Sequence, residues 1–226
     1  MGQDDGLDAK GEGIRAMRVG TKSVLFGVHN PIIHSFFMFV AWVKLYGWSL
    51  ELLDPRLHMC FLLHDIGYWG CKSMDGADGE RHPELGSYIV GKLFGDDWAL
   101  MCRWHSGTMV ELDSKQYGLM LPANQPHPSK LYAPDKLASP LYPRWLYKLL
   151  SCASGEWKEY AEIQFGGRRT GWTSPGWLIL TDMEHKTQNI VTFEDWHSTA
   201  MPRMRKRAYQ FAKDGGWMTM QEAVKQ

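Results

Sequence analysis

With 226 residues, 44% of them hydrophobic and 22% charged, the chain has ordinary globular proportions, which exclude a disordered polyelectrolyte and a collagen-like repeat. Its 25 basic residues balance 25 acidic ones. No net field of either sign points to nucleic acid or an anionic membrane, so any charge-driven role must be local. The longest apolar run near the N-terminus, residues 32–43, is broken by His34 and Ser35 and falls short of the ~20 residues of a membrane span. Residues 1–13 are acidic and Gly-rich, unlike a secretory signal, and read as a flexible leader. The four cysteines, Cys60, Cys71, Cys102 and Cys152, are scattered, without a Cys-x-x-Cys pair. This is the pattern of a reduced, cytoplasmic chain.

In chain order, the first strong signal is Asn30-Pro31, an N-cap followed by a first-turn proline. It predicts a buried helix through Tyr46, stopped by Gly47. Asp54-Pro55 repeats the signal and predicts a helix reaching His64-Asp65, ended by Ile66-Gly67. Residues 70–81 hold Asp75, Gly76, Asp78 and Gly79 and read as a loop. His82-Pro83 then opens a helix to Phe94-Gly95, and Asp96 or Asp97 caps another to His105, with Gly107 just beyond. Residues 112–130 read as a long surface connection, and residues 143–163 as the longest helix, opened by Pro143. Among the large rings, Trp42, Trp145 and Trp157 are expected in the core. Beyond residue 165 the sequence changes character, with turn chemistry in Gly-Gly-Arg-Arg-Thr-Gly and Ser-Pro-Gly, a short strand expected over residues 177–181 and a helix over 192–212 capped by Thr192. The fold class expected is all-α. A helical domain over residues 14–165 is followed by a mixed or helical extension, residues 166–226, that packs on it.

Nine histidines are present, and their placement is more informative than their number. His34 lies in the apolar helix, His64 precedes Asp65 at a helix end, His82 precedes a helix and His105 ends one. A ring buried among Phe, Met and Leu must have its nitrogens satisfied. Taken singly, each such residue is more often a hydrogen-bonded core histidine. Together with nearby Asp they make a candidate His/Asp metal site, because imidazole nitrogen and carboxylate oxygen are donors that divalent metals accept.

The order His34, then His64-Asp65 within Leu-Leu-His-Asp-Ile-Gly, then Asp135 within Ala-Pro-Asp-Lys-Leu-Ala resembles the HD superfamily of metal-dependent phosphohydrolases. The likeness spans roughly residues 30–160 and draws support from His34-Ser35, from His82-Pro83-Glu84-Leu85-Gly86 and from Asp135-Lys136. It implies that His34, His64, Asp65 and Asp135 ligate one divalent ion, and that His82 and His105 hold a second with Asp65 as the bridge. The implied cofactor is one or two divalent metal ions (Mn, Fe, Co, Ni, Zn or Mg). Asp65 and Lys136 would act in catalysis, and Trp69, Lys72 and Arg81 are candidates for substrate contact. Pro134, directly before Asp135, departs from the usual helix-forming residue. His58 lies on another face of the His64 helix, His29 is expected either to support the ligands from behind or to be structural, and His127, His185 and His197 receive no ligand role.

The resemblance further implies cleavage of a phosphoester or phosphoanhydride by metal-bound hydroxide. A small phosphorylated molecule, by family a nucleotide, would be the partner, with a homo-oligomer open and no membrane or strong nucleic-acid signal. Two rivals stand beside this reading. Some proteins with the same ligand order are mixed-valent di-iron oxygenases that cleave C–C or C–P bonds, and a metal-stabilised binding module without turnover would also fit. The basic run Arg203 to Arg207 reads as a solvated helix face.

Overall fold

The computed structural model describes residues 17–74, 76–117, 128–166 and 192–214. Among them are ten α-helices, three short 3₁₀ turns and no strand. The helices are α1 (Val19–Phe26), α2 (Pro31–Tyr46), α3 (Pro55–Leu63), α4 (Pro83–Phe94) and α5 (Asp96–Arg103), then α6 (Gly107–Tyr117), α7 (Tyr132–Leu141), α8 (Arg144–Ser154), α9 (Glu156–Gly166) and α10 (Phe193–Asp214). At two of the predicted helix starts a side-chain cap is formed ahead of a proline. Asn30 Oδ1 accepts from the amides of Ile32 and Ile33 at 3.2 Å each, ahead of Pro31. Asp54 Oδ1 accepts from the Arg56 amide at 2.9 Å, ahead of Pro55. These side chains satisfy amides that the first helical turn leaves without partners.

The bundle is built around α2, which packs against α3 and α7, while α4 packs on α5 and α10 lies along α7. Its largest core cluster includes Met38, Trp42, Leu57, Phe61, Met101 and Leu131. A second joins Val28, Tyr142 and Tyr147 to Phe193 and Trp196 of α10. The part of the C-terminal extension within the described residues is therefore a packed helix. Thr192 caps it, its Oγ1 accepting from the Asp195 amide at 3.2 Å. Two close backbone approaches set the helices that carry the histidines. A Cβ on Gly67 would lie 1.9 Å from the His82 carbonyl oxygen, and one on Gly86 would lie 2.2 Å from that of Leu63. Only glycine permits these contacts.

The structure corrects four sequence expectations. Residues 143–163 are not one helix, because Gly155 adopts a left-handed conformation, φ 86°, and divides α8 from α9. The expected surface connection at 112–130 begins instead as helix, since α6 runs to Tyr117; Gly107 opens this helix rather than merely ending the previous one. Trp145 is no core residue. At 69% exposed, it shares an outward stripe of α8 with Leu149, one turn on and 60% exposed. Lastly, α5 is entered through Gly95 and not capped by Asp96 or Asp97, which lie in its first turn; α7 carries Pro134 in its first turn and Pro140 near its last. The leader at 1–13 and the strand at 177–181 lie outside the described residues. Among those residues, no single helix is long and apolar enough to cross a membrane.

Candidate metal centre

Five separate elements deliver six buried side chains to one place. His34 sits one turn into α2, His64 follows the last residue of α3 and Asp65 comes next, His82 immediately precedes α4, His105 follows α5, and Asp135 lies in the first turn of α7. Each is at most 7% exposed. Their donor atoms form two groups, His34 with His64, Asp65 and Asp135, and Asp65 with His82 and His105, each group lying within 4.8 Å. Asp65 belongs to both because its two oxygens face opposite ways. Oδ2 lies 3.1 Å from His64 Nε2 and 3.6 Å from His34 Nε2. Oδ1 lies 3.2 Å from both His82 Nε2 and His105 Nε2. Asp135 Oδ1 completes the first group, 3.1 Å from His34 Nε2 and 3.6 Å from His64 Nε2.

The ring tautomers show what these atoms need. Backbone carbonyls only accept, so a ring nitrogen facing one must carry the hydrogen. His64 Nδ1 donates to Phe61 O at 3.0 Å, His82 Nδ1 to Gly79 O at 2.7 Å and His105 Nδ1 to Cys102 O at 2.5 Å. In the neutral rings all three Nε2 atoms therefore present lone pairs inward. There, His82 Nε2 and His105 Nε2 stand 3.0 Å apart, with a carboxylate oxygen 3.2 Å from each. Lone pairs converging on one point repel unless a cation lies between them. His64 Nε2 and Asp65 Oδ2 are likewise buried without a hydrogen-bond partner. The nitrogen and oxygen donor set, with the outer nitrogen of three of its four rings fixed by a carbonyl, fits one or two divalent metal ions.

Without such an ion, protons must supply the positive charge. Burial pushes His64 down, but the Asp65 and Asp135 carboxylates override it and hold the ring at about 10. His82 falls to about 4, because burial outweighs the opposing pull of Asp65. Burial also opposes ionisation of the two carboxylates. The surrounding cations nonetheless keep both well below the usual range, His64 foremost for Asp65 and Lys136 foremost for Asp135.

A neighbouring carboxylate, Glu156, was not legible as part of the site. Glu156, fully buried at the start of α9, accepts from the Val28 amide at 2.9 Å, from Ser23 Oγ and from His29 Nδ1 at 3.1 Å. His29 is thereby fixed with Nε2 3.9 Å from Asp65 Oδ2. The one sequence signal was the position of His29 just ahead of the Asn30 cap. Lys136 Nζ lies 2.7 Å from Asp135 Oδ2.

A cavity open to solvent borders His29, Asp65, His82, Asp135 and Lys136. Its aromatic lining is Tyr68, Tyr147, Tyr160 and Trp196. Three substrate-contact candidates are not among the lining residues. Trp69 ends the turn after Asp65 and is 56% exposed, Lys72 lies on an exposed bend, and Arg81 is exposed and paired with Glu84 at 2.7 Å. His58 Nε2 instead meets Leu52 O at 2.8 Å, and His197 packs on Tyr147 and Phe193. His127 and His185 lie outside the described residues.

Compared with protein-family models, curated proteins and solved structures, the chain matches none.

Proposed function

We propose that this chain is an HD-type, metal-dependent phosphohydrolase that cleaves a phosphoester or phosphoanhydride of a small phosphorylated molecule, with nucleotides as the leading class. The observation that carries the reading is Asp65, whose two oxygens each face a separate set of histidine nitrogens, 3.1 Å from His64 on one side and 3.2 Å from His82 and His105 on the other. A pair of divalent ions, when bound, supplies Lewis acidity, lowers the pKa of coordinated water and steadies the attacking and leaving oxygens of an in-line displacement.

The protein's own side chains prepare the rest. Backbone carbonyls of Phe61, Gly79 and Cys102 keep three Nε2 atoms bare and aimed inward. Lys136 places a fixed positive charge at the cavity wall, where it can meet a phosphoryl oxygen. His29, held at Nδ1 by Glu156, turns Nε2 toward Asp65 and the cavity; burial opposes its charged form, but Asp65 and Glu156 raise its pKa above the ordinary value, so it can donate a hydrogen bond there. Burial of the cluster excludes bulk water and strengthens each of these interactions.

The test is phosphate release from a panel of nucleotides and simple phosphoesters, with Mn, Mg, Co, Ni or Fe supplied and then chelated, run alongside an oxygen electrode on iron-loaded protein. The reading expects metal-dependent phosphate release that is indifferent to oxygen. Oxygen uptake coupled to C–C or C–P cleavage would transfer the site to oxygenase chemistry, and metal binding without turnover of any substrate would favour a binding module.

A further inference from the structure

One wall of the cavity consists of hydroxyl groups that the fold leaves unused. Ser106 and Thr108 flank the first residue of α6, and Ser139 lies on α7 one turn beyond Asp135. All three border the cavity. They are 9%, 6% and 8% exposed respectively, and none of their hydroxyls makes a hydrogen bond to another described residue. Serines and threonines in helices ordinarily return such a hydroxyl to a carbonyl one turn back, as Ser114 does to Val110 O at 2.7 Å and Ser154 to Leu150 O at 3.1 Å. These oxygens are not among the side-chain atoms sealed from solvent, so they open onto the cavity with their hydrogen-bonding capacity unspent. Three of them on one cavity suit a ligand rich in oxygen atoms.

The surroundings carry both signs: Asp65, Glu80 and Asp135 border the cavity, and so does Lys136, whose Nζ lies 2.7 Å from Asp135 Oδ2. The 11-residue helix α6 begins between Ser106 and Thr108, so its N-terminal turn adds amide donors and the positive end of the helix dipole. Lys136 borders the same cavity, three residues before Ser139. Hydroxyl and amide donors arranged around one cation suit a tetrahedral oxyanion.

We infer that Ser106, Thr108 and Ser139, with the first turn of α6, form a subsite for the oxygens of a phosphoryl group, beside the histidine and carboxylate cluster and distinct from it in its atoms. The identification of the anion as phosphoryl rests on the phosphohydrolase reading. The hydroxyl wall itself does not. In this arrangement the wall holds substrate oxygens that the metal ligands do not reach, so it determines which phosphorylated compounds bind rather than how much metal is held.

The probe is inorganic phosphate, titrated calorimetrically into the full chain carrying its metal complement. Thr108→Val keeps the shape and removes the hydroxyl, Ser139→Ala does the same on α7, and Thr108→Ser restores a hydroxyl as a conservative control. Each hydroxyl removed should weaken phosphate binding about tenfold, and the double variant more. Thr108→Ser should bind like the parent, metal content should stay constant, and melting temperature should hold or rise because no native hydrogen bond is lost. Phosphate affinity unchanged in the double variant, or no phosphate binding by the parent, overturns the subsite. The phosphoester panel reports separately. Hydroxyl-dependent phosphate binding without turnover keeps the subsite and removes the phosphohydrolase reading; turnover with hydroxyl-independent binding does the reverse.

Discussion

Oδ1 of Asp65 stands 3.2 Å from His105 Nε2, on the opposite side of the carboxylate from the oxygen that faces His64. One side chain thus joins two ligand groups, and among the described residues the second group has no other carboxylate. His82→Ala and His105→Ala should therefore each lower metal content from about two ions per chain toward one and cut turnover strongly, since paired ions act together in such centres. Elemental analysis of the purified variants measures this. Full stoichiometry in both would reassign the two histidines to substrate contact.

The raised His64 and lowered His82 predict how the metal-free chain responds to pH. His64 titrates at about 10 when folded, against an ordinary value of 6.5. Its contribution to stability is complete below pH 6.5 and is lost as pH rises toward 10. His82 titrates at about 4 when folded, so the unfolded chain takes up its proton first, and stability falls as pH drops from 6.5 toward 4. Each proton bound differently changes the unfolding free energy by about 1.4 kcal/mol per pH unit. Denaturant unfolding of chelated protein across pH 4 to 10 should show a maximum near pH 6.5. Metal uptake near neutral pH should release a proton from His64, read as a dependence of the calorimetric heat on the buffer's ionisation enthalpy. A heat independent of buffer would contradict the assignment.

Much of the centre was legible because its signals are local. Asn30-Pro31, Asp54-Pro55 and His82-Pro83 each fix a helix start, and a start fixes the phase of the histidine that follows or precedes it. The join between His29 and Glu156 spans 127 residues and depends on how α1 packs against α8 and α9. No local pattern encodes it. Gly155 was misread for a related reason, since a glycine within an apolar periodicity is tolerated in helices and only its left-handed conformation here marks a break. Trp145 satisfies the same periodicity as its buried neighbours, yet nothing among the described residues covers its stripe of α8 closely enough to bury it.

Glu156→Ala should destabilise the fold by about 3 kcal/mol or more, because it strips a wholly buried carboxylate from Ser23, Val28 and His29 together. Urea unfolding of the variant checks it. A loss below 1 kcal/mol would mean that the three donors find other partners.

Trp196 is 2% exposed and unites α10 with Tyr147 and Tyr160, their rings stacking at 5.8 and 6.5 Å. Trp196→Ala should cost about 3 to 5 kcal/mol. It should also raise protease sensitivity along α10 while metal content in the folded fraction persists, because among the described residues α10 supplies no member of the two ligand groups.

The central claim is that Asp65 would serve both ligand groups of a two-ion centre, and paired elemental analysis and phosphoester turnover of Asp65→Ala and His58→Ala test it most directly. His58 bonds to Leu52 O at 2.8 Å, on the same helix segment but away from the cluster. Asp65→Ala should lose metal and turnover together, while His58→Ala keeps both; equal losses in the two variants, or an Asp65→Ala protein that still carries two ions, would contradict the claim.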